Sequence, residues 1–133
     1  MKKDEILQNP RIIVIQKLYG HHLNKEADLT FSKHRYKKFI KDVVKGTIER
    51  DDLIQEIIQK ELHEDINENK TELIIMLMIK AGIYEFMFMH KTPVKVIITE
   101  YLKVSDSFVS GSQKNYLNVV LDKLSKKCRI ANE

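Results

Sequence analysis

The sequence predicts an all-α fold, a compact bundle of about six to seven helices in one domain spanning residues 1–133. Three observations predict it. Four glycines and two prolines in 133 residues are far below the roughly 12% of average proteins, too few to supply the tight turns of a sandwich or barrel. Apolar residues recur at the three-and-four spacing of helix faces in segment after segment. With 43% apolar and 32% charged residues, the chain is long enough to bury about two thirds of its unfolded surface around one core.

Each helix carries its own punctuation. Asn9 caps and Pro10 occupies a first helical position, where a missing N–H costs nothing. Ile13, Ile15, Leu18 and Tyr19 then reach the core, and Gly20 is expected to end the helix at its C′ position. Ser32 is the next cap candidate. Tyr36, Phe39, Ile40, Val43, Val44 and Thr47 follow it as a buried stripe, with Lys37, Lys38, Lys41 and Lys45 mostly on other faces. Asp51 opens an acidic helix burying Leu53, Ile54, Ile57, Ile58 and Leu62, and the polar run Glu64 to Lys70 is expected to be a loop. Thr71 and Glu72 start a central helix running to about Met89, apolar nearly all round, in which Gly82 marks a close helix contact. Thr92-Pro93 starts a helix from Val94 to about Val104, although the run Val94 to Thr99 has strand propensity as well. Gly111-Ser112 precedes a last helix whose Tyr116, Leu117, Val120, Leu121, Leu124 and Cys128 share a face.

The net charge of +4 is unevenly spread. Lys33, Arg35, Lys37, Lys38, Lys41, Lys45 and Arg50 against Asp42 and Glu49 leave +5 over residues 31–50. Eight carboxylates against Lys60 and Lys70 leave −6 over residues 51–72. The first segment and the basic C-terminal third are candidate anion-facing surfaces, and the acidic one is expected to point away from any nucleic acid. A single cysteine, Cys128, forbids an internal disulfide and fits a reducing compartment. The first apolar run, Ile12 to Ile15, is too short for an export signal, and the stretch Leu73 to Met89, interrupted by Lys80 and Glu85, is short of a membrane span. The expected location is the cytoplasm.

Catalytic and metal signatures fail in turn. His21-His22 lacks a carboxylate at ligand spacing, and neighbours on a helix face different ways. Asp65 to Lys70 imitates a calcium loop, but Lys70 stands where glycine is needed and Met76 where a bidentate glutamate belongs. His63-Glu64 lacks the second histidine of a zinc-protease helix, and Gly111 to Lys114 lacks phosphate-loop spacing. Cys128, on an apolar face, reads as an inert buried thiol. Met76, Met78, Met87 and Met89 read as core filler. The expectation is a binding protein with no catalytic residue, no metal and no cofactor.

Three ordered patterns resemble the NusB family of bacterial transcription antitermination factors. Ile83-Tyr84-Glu85 is similar to the family's Leu-Tyr-Glu, and Pro93 to Glu100 to its Pro-x-Lys-Val-x-Ile-Asn-Glu. Tyr116 to Lys123 is similar to its Phe-Val-Asn-Gly-Val-Leu-Asp-Lys. Arg11 with Gln16 to Tyr19, and Ile40 to Gly46, echo two upstream helices. The resemblance implies an all-helical adaptor that binds single-stranded boxA RNA together with NusE, a small-subunit ribosomal protein, on elongating RNA polymerase, in support of ribosomal RNA transcription.

Roles follow by residue type within that resemblance. Lys2, Lys3, Arg11 and Lys114 would neutralise phosphates, Tyr116 would stack on an unpaired base, and Ser112 and Asn115 would hydrogen-bond base edges or backbone. Tyr84 and Glu85, with Tyr19, would face the protein partner. Tyr116 equally fits the core, and a buried Tyr–Glu hydrogen bond is the alternative for the partner pair. The family's arginine-rich stretch reads Asp4 to Arg11 here, and its acidic turn before the last helix reads Val109 to Gln113. Val119 stands where the family has glycine. RNA affinity without NusE is therefore expected to be weak.

Two other readings accompany the adaptor. A protein-only dimerisation module would have lost RNA binding along with the arginines, leaving a homodimer. A DNA-reading helix from Arg35 to Lys45 lacks polar residues for base edges, and lysine alone positions without reading sequence. Some ribosomal RNA methyltransferases carry a NusB-like domain at the front; with a single domain, this chain is expected to lack their activity.

Overall fold

A computed structural model describes residues 9–62 and 72–129. Those residues form six α-helices and no strand: α1 (Pro10–Leu23), α2 (Lys37–Glu49), α3 (Asp51–Leu62), α4 (Leu73–Phe88), α5 (Val94–Ser105) and α6 (Gly111–Cys128). The Glu64–Lys70 loop, the Thr71 start and Lys2 and Lys3 lie outside them.

The bundle is organised around α4, which packs against all five other helices. Its sequence, LIIMLMIKAGIYEFMF, is apolar on every side, so it can only be stable when surrounded. Gly82 lets α6 approach: a Cβ there would lie 2.9 Å from Leu121 Cδ2. Lys80 reaches out of the helix to Asp51 at 2.8 Å, tying α4 to the first turn of α3.

Asn9 caps α1 as expected, its side chain accepting from Arg11 N–H at 3.0 Å and Ile12 N–H at 3.4 Å. The helix then runs past Gly20 to Leu23. No glycine has a positive φ, so Gly20 is not a C′ residue; Asn24 closes the helix by donating its N–H to the Gly20 carbonyl at 3.0 Å. The buried stripe is Arg11, Ile12, Val14, Ile15 and Leu18, rotated from the expected one, which leaves Ile13 half-buried and Tyr19 exposed.

Helix α2 starts five residues later than Ser32, with Tyr36 at the cap position and exposed. Ile40, Val43, Val44 and Thr47 are buried as their spacing predicts. Asp51 and Asp52 place carboxylates at the positive end of α3, and Ile54, Ile58 and Leu62 pack inward while Leu53 is exposed. The Val94 to Thr99 run is helical: Pro93 precedes it, and Ile97, Tyr101 and Val104 are buried at helical spacing. In α6 the buried residues are Leu117, Val120, Leu121, Leu124 and Ser125, with Tyr116 and Cys128 half-buried against the core.

Candidate nucleic-acid interface

The N-terminal turns of α6 present the most concentrated set of expected contact residues. Gln113 Oε1 accepts from Ser110 N–H at 3.0 Å, half of a capping box that fixes the entry of the helix. Ser110 Oγ lies 3.2 Å from Ser112 Oγ. Ser112 and Asn115 are exposed, and Tyr116 is half-buried, its ring lodged against the core while part of it remains open. No acidic residue occupies the first turn, so the positive end of the helix is unneutralised there and suits an anion. Lys114 is tethered: its Nζ contacts Asp106 Oδ1 at 2.9 Å. One turn beyond Tyr116, Val119 is 68% exposed. It extends the open surface.

Arg11 is elsewhere. Its side chain turns into the bundle, where Nε donates to Glu85 Oε2 at 3.0 Å and Nη2 to Glu85 Oε1 at 2.6 Å. Tyr101 OH donates to Glu85 Oε2 at 2.5 Å, and the guanidinium lies over the rings of Phe39 at 4.7 Å and Tyr101 at 5.6 Å. Arg11 is 8% exposed and Glu85 fully buried. Two expectations are corrected by this. Arg11 is not on a phosphate-facing surface, and Glu85 does not face a protein partner, because each satisfies the other's charge inside the core. Burial weakens the Arg11 charge, but the hydrogen bonds and charge of Glu85 outweigh it and hold the guanidinium above its ordinary range. Burial, followed by the neighbouring Glu85 charge, pushes the Tyr101 phenol well up, so it remains a donor. Tyr101 is the tyrosine bonded to Glu85, not its sequence neighbour Tyr84; the sixteen-residue separation conceals the pairing from sequence.

Tyr84 instead packs on the backbone of Gly46, which has room for the ring only because it has no side chain. Its ring lies 5.1 Å from Phe88, and the Arg50 guanidinium sits 4.3 Å over Phe88. Tyr84, Phe88 and Arg50 thus form a half-open aromatic and cationic surface at the α2–α4 contact. Phe88 and Arg50 were not anticipated, although the i, i+4 spacing of Tyr84 and Phe88 signals that they share a face. Tyr19, 39% exposed, lies on α1.

Two further clefts border α1. One, of ≈ 290 Å³, is lined by His21, Thr47, Asp51 and Lys80 among others. Within its walls Thr47 Oγ1 and His21 Nδ1 are buried with no hydrogen-bond partner among the described residues. The other, of ≈ 250 Å³, lies between α1 and the start of α2 and carries lysines at its rim. No group of three His, Cys, Asp or Glu side chains among the described residues is placed to hold a metal. Burial, with a contribution from Glu61, pushes the Cys128 thiol up to about 11. No helix among the described residues is long and apolar enough to cross a membrane.

Comparison with known proteins places these features. A family model described as the NusB family matches residues 8–126. The chain is 26% identical over 107 residues to the transcription antitermination protein NusB of Mesorhizobium japonicum, covering 80% of this chain and 69% of the relative. It is 32% identical over 87 residues to that of Rickettsia akari, covering 65% of this chain and 56% of the relative. The match thus spans little more than half the length of the Rickettsia protein. The solved structure of T. maritima NusB superposes with a TM-score of 0.79 at 20% identity over 92% of each chain, which shows that the fold is shared.

Proposed function

The chain belongs to the NusB family of transcription antitermination proteins, and from that premise we propose that it is a non-catalytic adaptor that binds single-stranded boxA-type RNA together with NusE on elongating RNA polymerase. The observation that carries the reading is the first turns of α6, where exposed Ser112 and Asn115 and half-open Tyr116 adjoin an unneutralised helix end. Tyr116 stacks on a base, Ser112 and Asn115 bond to base edges or backbone, and Lys114 exchanges Asp106 for phosphate. Lys2 and Lys3 add phosphate contacts. Tyr84, Phe88, Arg50 and, on α1, Tyr19 are the surface offered to the protein partner.

The enclosure of Arg11 favours one alternative, a protein-only dimer that has lost RNA binding. The deciding experiment is a salt titration of binding to a boxA-type RNA and a scrambled control, with and without NusE. The adaptor requires a preference for boxA that grows with NusE and a log–log slope of about −2 to −4. Equal weak binding to both RNAs, with light scattering at twice the monomer mass, supports the dimer instead.

A further inference from the structure

The ≈ 250 Å³ groove between α1 and the start of α2 has an apolar floor, Ile13 and Ile40, a half-buried wall, Phe31, and three cationic rim residues, Lys17, Lys33 and Lys37. Aromatic rings and cations alternate along the segment 31–37, which supplies most of its lining. Lys17 Nζ lies 5.8 Å from the Phe31 ring, the Arg35 guanidinium 5.5 Å from Tyr36, and the His34 and Tyr36 rings are 6.0 Å apart. Tyr36 is 46% exposed, and none of Lys33, Arg35 and Lys37 forms an ion pair with a described carboxylate.

The charges here also run against the helix they sit on. α2 has no acidic residue in its first turn, and Tyr36 makes no side-chain capping bond to it. Lys37 and Lys38 add positive charge to an end that is already positive, an arrangement that lowers helix stability. Asp42 offsets Lys38 at 2.8 Å, but nothing comparable offsets Lys37. Folding of the described residues does not account for three cations that have no carboxylate partner among those residues around a helix N-terminus and an aromatic groove, whereas a polyanion bound there would relieve them.

The geometry points to this groove as a second contact for single-stranded RNA, holding nucleotides beyond those taken at α6. The inference rests on the adaptor reading and extends it. Charge alone would suit an acidic polypeptide as well; the open rings interleaved with the cations favour bases, which stack on them in any sequence. Position agrees. Ile13 is one turn from Pro10, so the groove borders the first turns of α1, and the backbones of α1 and α6 do not approach each other closely. RNA must therefore be longer than its α6 contact to reach it.

The test compares a short boxA-type RNA with the same RNA carrying a single-stranded extension of about six nucleotides, each with NusE present. The extension is expected to raise affinity about tenfold, and K33A/K37A to abolish that gain while leaving the short RNA unaffected. The same variant should flatten the salt slope for the long RNA by about 1.4, two phosphates at some 0.7 each. K33R/K37R should retain the gain, and Y36A should lose part of it. Equal affinity for both lengths, or a gain that survives K33A/K37A, overturns the second contact alone. Binding of neither RNA overturns the adaptor and this contact together. Competition by poly-glutamate as effective as that of poly-uridylate, charge for charge, overturns the assignment to RNA.

Discussion

Arg11 and Glu85, 74 residues apart in sequence, form a two-pronged ion pair that fixes the first turn of α1 to the last turn of α4. Glu85 is fully buried, so its charge is tolerable only with its partners in place. R11M should therefore destabilise the protein by about 3–5 kcal/mol in urea unfolding, the cost of leaving a buried carboxylate without its cation. The triple variant R11M/E85L/Y101F should recover most of that loss, since the buried Tyr101 hydroxyl would otherwise lose its acceptor and three apolar side chains need no compensation. A triple variant as unstable as R11M would mean that the cluster contributes through geometry that apolar packing cannot replace.

Tyr101 gives the same cluster a pH signature. Its phenol is raised in the folded state by burial first and by Glu85 second. A group whose folded pKa is raised contributes stability that is complete below the unfolded value, about 10 for tyrosine, and is lost as pH rises beyond it. Unfolding free energy should accordingly fall above about pH 10. Cys128, raised to about 11, slopes in the same direction from a lower starting pH, so the measurement belongs in a C128S background. There, Y101F should flatten the alkaline limb of the stability profile relative to its parent. An unchanged slope would show that the titration arises elsewhere.

The difference between what could and could not be read from sequence follows from range. Helix identity was legible because it is local: Asn9-Pro10, Asp51, Pro93 and the three-and-four spacing of Ile40, Val43, Val44 and Thr47 each act within a turn or two. Gly20 misled because the same residue serves as a C′ stop or as an ordinary helical position, and only φ distinguishes them. The site was less legible. Arginine near a family RNA motif reads as a phosphate ligand, yet the choice between solvent and Glu85 is made by a contact between residues 11 and 85. Ser112 and Asn115 are exposed because they lie off the Leu117–Leu121–Leu124 stripe, which periodicity does show.

Two helical glycines make a paired prediction. A Cβ on Gly46 would overlap ring carbons of Tyr84, whereas one on Gly20 would meet nothing within 4 Å. G46A should cost about 1–3 kcal/mol by forcing the Tyr84 ring or α2 to shift. G20A, inside a helix at negative φ, should stabilise by about 0.4–1 kcal/mol through the unfolded chain. Because Tyr84 belongs to the proposed partner surface, G46A should also weaken NusE binding beyond any loss of folded protein, and G20A should not. Equal melting temperatures for the two variants would contradict the close approach of Tyr84 to α2.

Arg129 closes the C-terminal end of α4. Nε donates to Phe86 O at 3.0 Å, Nη2 to Glu85 O at 3.0 Å and Met89 O at 3.1 Å, and Nη1 to Thr92 O at 2.5 Å. One planar group therefore bonds four carbonyls, two of which, Glu85 O and Met89 O, also accept the backbone N–H of Met89 and Thr92, and ties the helix end to the turn before α5, with a cation at the helix's negative end. R129A should cost about 1.5–3 kcal/mol, the range for hydrogen bonds to a charged group. The loss should be local: amide exchange should accelerate at Met89 and Thr92 before it does in α2. R129K should recover less than half, because an ammonium is a single point and cannot span four carbonyls set around a fork. Full rescue by lysine would reduce the clamp to a charge effect and remove any role for its geometry.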